Sequence, residues 1–126
     1  VLWHIGWFNE TVPKFAQDLA QSDSRLVFLH MDADLYSSTA TVLEVLEGYI
    51  AAGAYILFDE LVNYPEYVDH ELRALYEMLV RTGRDLVVIG FPGPYIFESP
   101  EDIRTAIARE GVEGESLPQD VLLRLL

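Results

Sequence analysis

The sequence predicts an α/β fold in which three parallel strands carry one antiparallel strand at the sheet edge and helices flank the sheet. Short apolar runs at residues 26–31, 54–58 and 85–91 have the length and near-continuous hydrophobicity of strands buried in a parallel sheet. The stretches between them repeat apolar residues at helical spacing, and alternation of strand and helix is what builds such sheets. Pro92-Gly93-Pro94, between the third run and Tyr95-Ile96-Phe97, is turn chemistry that predicts an antiparallel hairpin.

Each element has its own signal. In residues 11–21, Val12, Phe15, Ala16 and Leu19 mark one helix face, with Thr11 as candidate N-cap and Pro13 tolerated in the first turn. Residues 26–31 then form a strand that stops at Asp32. Ser37, Ser38 and Thr39 offer hydroxyl caps to a helix whose Val42, Leu43, Leu46, Tyr49 and Ile50 form one stripe, ended by Gly53. The strand at 54–58 ends in Asp59 and Glu60, and a loop at 63–67 leads to a helix marked by Leu72, Leu75, Tyr76, Leu79 and Val80 and stopped by Gly83. After the third strand and the hairpin, residues 100–110 predict a short surface helix with Ile103, Ala106 and Ile107 inward, and the residues from Pro118 a further one.

With 126 residues, 51% of them hydrophobic, the chain has material for one core and no room for two domains. A formal net charge of −13 repels phosphate backbones and anionic lipid heads, which argues against nucleic acid and membrane as partners. The absence of cysteine removes disulfides, thiolate catalysis and thiolate-bound zinc, and fits a reducing cytoplasm, the expected location. The longest nearly apolar run, residues 49–58, is about half of the ~20 residues a spanning helix needs and is broken by Gly53. No signal-peptide pattern is visible. Val1-Leu2-Trp3-His4-Ile5 reads like the middle of a folded element, so the chain is expected to be the C-terminal part of a single domain.

In open α/β sheets ligands bind beyond the carboxyl ends of the strands. Asp32 and Asp34 close one strand here and Asp59 and Glu60 the next, so several carboxylates are expected across one strand spacing of roughly 5 Å. Hard oxygen donors suit Mg²⁺ or another divalent cation. The plainer alternative is that such acids cap helices or sit in solvent. Asp32 stands out because it directly follows six apolar residues, where a carboxylate costs desolvation unless a cation or hydrogen bonds compensate. Asp34 also reads as part of a turn. His30, inside the strand, reads as a core histidine; His70 starts a helix and faces either the crevice or solvent.

Three stretches resemble the macrocin O-methyltransferase family of class I S-adenosylmethionine-dependent enzymes: Gly6-Trp7-Phe8-Asn9-Glu10-Thr11-Val12-Pro13, His30-Met31-Asp32-Ala33-Asp34-Leu35-Tyr36-Ser37-Ser38-Thr39, and Phe58-Asp59-Glu60. The resemblance covers roughly the first seventy residues and implies the C-terminal half of a Rossmann-like methyltransferase sheet, its fourth to seventh strands, with the N-terminal half that carries the cofactor's glycine-rich loop absent. It implies Asp32, Asp59 and Glu60 as ligands of Mg²⁺ or a similar ion, Glu60 departing from the more usual aspartate. Gly6 and Trp7 are the candidate contacts to S-adenosylmethionine, and Asp34, Tyr36 and His70 weaker candidates for the substrate. The acceptor it implies is a sugar or other small molecule bearing a hydroxyl. No family motif matches after Ser99.

Methyl transfer from a sulfonium is an in-line displacement that needs positioning above all, so Asp32 is assigned as metal ligand and candidate base. A phosphohydrolase of the haloacid dehalogenase type would use Asp32 and Asp34, but needs a later lysine, and Lys14 is the only one. A nucleotide-sugar glycosyltransferase would leave the second acidic strand end unexplained. A non-catalytic, truncated methyltransferase-like module remains the alternative. The chain alone is expected to be inactive, and self-association through the exposed edge of residues 26–31 is expected.

Overall fold

The computed structural model describes residues 1–91 and 119–126. The predicted hairpin at 92–97 and surface helix at 100–110 lie outside the described residues. Among those described, the order is α1 (Phe8–Gln21), β1 (Leu26–Met31), α2 (Tyr36–Leu46), β2 (Ile50–Phe58), α3 (Glu71–Thr82), β3 (Leu86–Gly90) and β4 (Val121–Leu125), with short 3-10 turns at Glu47–Tyr49 and Tyr67–Asp69. The chain is thus a mixed α/β structure with a four-stranded sheet.

The strand order is β1-β2-β4-β3. β1 runs parallel to β2, and β4 runs antiparallel to both β2 and β3. The antiparallel strand is therefore interior, and it comes from the stretch expected to be helical after Pro118. The register explains the correction. Val121, Leu123 and Leu125 alternate into the core while Leu122 and Arg124 face the other way, a period of two that helix would scramble. β1 forms the outer edge, as expected.

One sheet face is covered. Ala54, Ile56 and Phe58 of β2, with Leu123 and Val121 beside them, join Val12, Leu43, Ala74 and Met78 from the three helices in a single buried cluster. On the opposite face Tyr55 and its register partners Phe28 and Arg124 are exposed. β1 is accordingly not buried on both faces as its apolar run suggested, and His30 is half exposed rather than a core histidine.

Helix and strand ends also differ from the sequence reading. α1 begins at Phe8 with Trp7 as N-cap, so Thr11 lies inside, its hydroxyl donating to the Trp7 carbonyl at 3.0 Å, and Pro13 falls in the second turn. α2 begins at Tyr36, capped without side-chain help by Leu35, so Ser37 to Thr39 are first-turn residues rather than caps. α2 stops at Leu46, and Ile50 already pairs with Leu26. Gly53 is inside β2, at a register shift, with φ +79°. A Cβ there would make only an ordinary contact with the Arg124 guanidinium at 3.4 Å, so it is the backbone conformation that suits glycine. Gly83 ends α3 with φ +67°, as expected of a C-terminal glycine.

Candidate functional site

The parallel ladder continues past the strands, because the Asp59 N–H donates to the Met31 carbonyl at 3.0 Å. Asp59 therefore leaves the sheet alongside Asp32. Beyond Asp32 the chain reverses in a tight turn: the Leu35 N–H donates to the Ala33 carbonyl, with Asp34 between them at φ +55°. A non-glycine residue in the left-handed region is held there by its surroundings. α2 starts immediately afterwards, which brings its N-terminus to the same end of the sheet.

Asp32 and Asp34 are exposed, and Asp59 and Glu60 partly buried. Asp32 thus escapes the desolvation that its position after an apolar run suggested. The four acids follow the paired ends of β1 and β2, and Glu60 feels the other three. Its carboxyl is held above the usual range, first by burial and then by the negative charges of Asp34, Asp59 and Asp32, with His70 offsetting part of the effect. On the other side, His30 Nε2 stands 3.8 Å from Asp59 Oδ1. The oxygen donors have the right chemistry for a hard divalent cation, yet among the described residues no three His, Cys, Asp or Glu side chains stand in a ligating array.

The other sequence candidates separate into two places. Gly6, at φ +148° and with Thr11 Cγ2 only 3.0 Å from where a Cβ would sit, turns the chain into α1. Trp7 follows it and lines a cleft of about 360 Å³ together with Phe8, Leu35, Ser38 and Thr41. Tyr36 is engaged elsewhere. Its hydroxyl donates to Glu77 Oε2 at 2.6 Å, and Arg73 lies over its ring at 4.6 Å while bonding the same Glu77. That hydrogen bond, with lesser help from burial and the Glu77 charge, raises the Tyr36 pKa. His70 caps α3, with its ring 6.0 Å from that of Tyr64 and its Nδ1 buried without a partner. A larger apolar cleft of about 770 Å³, lined by Leu72, Leu75, Leu79 and Val88, includes none of the four rim acids.

Sequence reasoning missed Glu71 and Thr39. Both are fully buried, and Thr39 Oγ1 donates to Glu71 Oε1 at 3.0 Å. A glutamate in the first turn of a helix ordinarily reads as a charge favoured by the helix dipole, so no sequence signal distinguished it.

Residues 1–81, which contain α1, β1, the acidic rim and nearly all of α3, match the family model for macrocin O-methyltransferase (TylF). The chain belongs to the macrocin O-methyltransferase family. Among solved structures it is similar to CalS11, a calicheamicin methyltransferase, at 24% identity and a TM-score of 0.56, covering 94% of this chain and 35% of that one. The apo form of CalS11, described as a TDP-rhamnose 3'-O-methyltransferase, matches at 25% identity and a TM-score of 0.54, covering 94% of this chain and 38% of that one. The O-methyltransferase NovP shares 20% identity at a TM-score of 0.52, covering 96% of this chain and 36% of that one. This macrocin O-methyltransferase family member therefore spans little more than a third of these relatives. No curated protein sequence matches it significantly.

Proposed function

We propose that this chain carries the acceptor-side acidic rim of an S-adenosylmethionine-dependent sugar O-methyltransferase. The carrying observation is that the family match over residues 1–81 includes both acidic strand ends, which the β1–β2 ladder sets side by side. The sugar acceptor is inferred from the TDP-rhamnose enzyme among its structural relatives. In the reaction the acceptor oxygen forms a bond to the methyl carbon as the sulfonium bond breaks. The hydroxyl proton passes to a carboxylate, for which Asp32, exposed at the rim, is the candidate.

A divalent ion, when bound, would orient the acceptor hydroxyls and lower their pKa, with Asp32 and Asp59 as ligands and Glu60 beside them. The charge crowding at Glu60 supports this assignment, since a cation offsets that repulsion. Among the described residues the side chains form no three-ligand array. Gly6 and Trp7 are assigned to the methyl donor, at the cleft beside α2.

The coverage of little more than a third of the relatives favours one second reading, a non-catalytic module. Methyl transfer from labelled S-adenosylmethionine to TDP-rhamnose, measured for this chain with and without upstream coding sequence, separates the two. Transfer that appears with the longer protein and is lost in Asp32→Ala and Asp59→Ala supports the enzyme; transfer unaffected by both substitutions rejects the site assignment.

A further inference from the structure

The cluster of Tyr36, Arg73 and Glu77 takes no part in the chemistry above. Glu77 joins the other two: its Oε2 accepts from the Tyr36 hydroxyl at 2.6 Å and its Oε1 from Arg73 Nε at 2.9 Å, while the guanidinium lies over the Tyr36 ring at 4.6 Å. These contacts fix the direction of a half-exposed guanidinium. Neither Nη donates to a described residue. An oriented fork with free donors suits two oxygens of a phosphate group.

Its place in the fold gives that fork a use. Tyr36 opens α2 two residues after Asp34, and Arg73 lies in the first turn of α3, which follows the loop from the carboxyl end of β2. The cluster therefore sits at the rim end of the sheet. The other lysine and arginine side chains among the described residues lie elsewhere. Arg25 and Arg84 bond the carbonyls of Gly48, Ile50 and Ala51, at the starting end of β2. Arg81 pairs with Glu47 beyond the end of α2, Arg124 is beside Tyr55 on the open sheet face, and Lys14 is midway along α1.

A sugar joined to a nucleoside diphosphate brings negative charge to a rim that already carries four acids, so binding it needs a cation at this end. We propose that Arg73 is the phosphate contact of a nucleotide-linked acceptor, its Nη groups donating to diphosphate oxygens while Tyr36 and Glu77 hold it in place. This rests on the reading of the chain as part of a sugar O-methyltransferase and narrows the acceptor to a nucleoside-diphosphate sugar.

Titration of the 126-residue chain with thymidine diphosphate, followed by amide chemical shifts, tests the contact without methyl donor, metal or sugar. Saturable shifts at Tyr36 and Arg73 are expected, and none with uncharged thymidine. Arg73→Ala is expected to weaken binding about tenfold or more, and Arg73→Lys, which keeps the charge but loses the fork, by a smaller factor. Arg25→Ala, at the opposite end of the sheet, should stay within about twofold. If Arg73→Ala does not fold, Arg73→Lys decides. Absence of saturable binding to the unmodified chain overturns the proposal. So do equal losses in the Arg25 and Arg73 variants, which assign binding to diffuse charge. Methyl transfer by the longer protein to a phosphate-free sugar, with no binding of the diphosphate, overturns it too and leaves the methyltransferase reading standing.

Discussion

Thr39 and Glu71 are 32 residues apart, yet the threonine hydroxyl donates to the glutamate Oε1 at 3.0 Å with both side chains sealed from solvent. Burial is the dominant influence on this carboxyl and pushes its pKa up to about 7, against the opposing effects of the Thr39 hydrogen bond and nearby backbone amides. The folded chain thus holds this proton more tightly than the unfolded chain, whose value is 4.5. Between these two values the native state binds more protons, so stability falls as pH rises and levels off above the upper one. The loss is on the order of 3 kcal/mol at most. Urea unfolding should give a lower midpoint at pH 8 than at about pH 5, and Glu71→Gln, which cannot ionise, should flatten that slope.

The Leu43 side chain is fully enclosed in the cluster that joins the helices to β2 and β4. Leu43→Ala should destabilise the chain by about 3 kcal/mol through lost transfer energy and the cavity left behind. A denaturant titration with unchanged slope and a lower midpoint is the expected result.

Gly53 and Gly48 offer a matched pair only five residues apart. Gly53 has φ +79°, a conformation that side chains rarely adopt, whereas Gly48 has no such φ and open space around it. Gly53→Ala should cost about 1–2 kcal/mol, and Gly48→Ala should be neutral or slightly stabilising, by up to about 1 kcal/mol. Thermal unfolding of the two variants side by side reads the difference.

Val27 on the outer strand β1 is exposed, and its neighbour Phe28 faces the open side of the sheet. An apolar, unpaired edge templates pairing with another chain. Val27→Lys should shift sedimentation profiles toward smaller species at equal concentration, without lowering the unfolding midpoint by more than about 1 kcal/mol.

S-adenosylmethionine should not bind the 126-residue chain with micromolar affinity. On the assignment proposed above, the described residues offer the donor only the Gly6–Trp7 region and the rim, with no glycine-rich turn after a strand. One-sided contact does not repay the entropy of ordering a flexible ligand. Equilibrium dialysis is the measurement, and micromolar binding would show that the chain forms a complete pocket.

The legible parts of the fold were those whose signal is local. The apolar run at Leu26–Met31 is a strand as its sequence says, although not one buried on both faces, and the αL glycine after α3 ends its helix as expected. The start of β2 was not legible, because Tyr49 and Ile50 continue a helical stripe equally well and only the pairing of Leu26 with Ile50 decides. β4 was misread since Val-Leu-Leu-Arg-Leu is rich in good helix formers, and pairing on both sides overrides that preference. At the site, the strand ends alone place Asp32 and Asp34 after β1 and Asp59 and Glu60 after β2, and the pairing of β1 with β2 sets those ends side by side. Glu71 was invisible because its meaning depends on contacts with residues far away in sequence.

The position of β4 has a consequence for how the chain is made. Among the described residues β3 is joined to β2 only through β4, which is translated after both. Until β4 is added, β2 and β3 lack the partner that β4 supplies to each among the described residues. Closure then requires pairing across more than sixty residues for Phe58 and Val121, the kind of long-range contact that forms late and slowly. A stop codon that falls before β4 would therefore remove far more than five residues of strand. It would release a nascent chain with an unfinished sheet, open to chaperones and proteases.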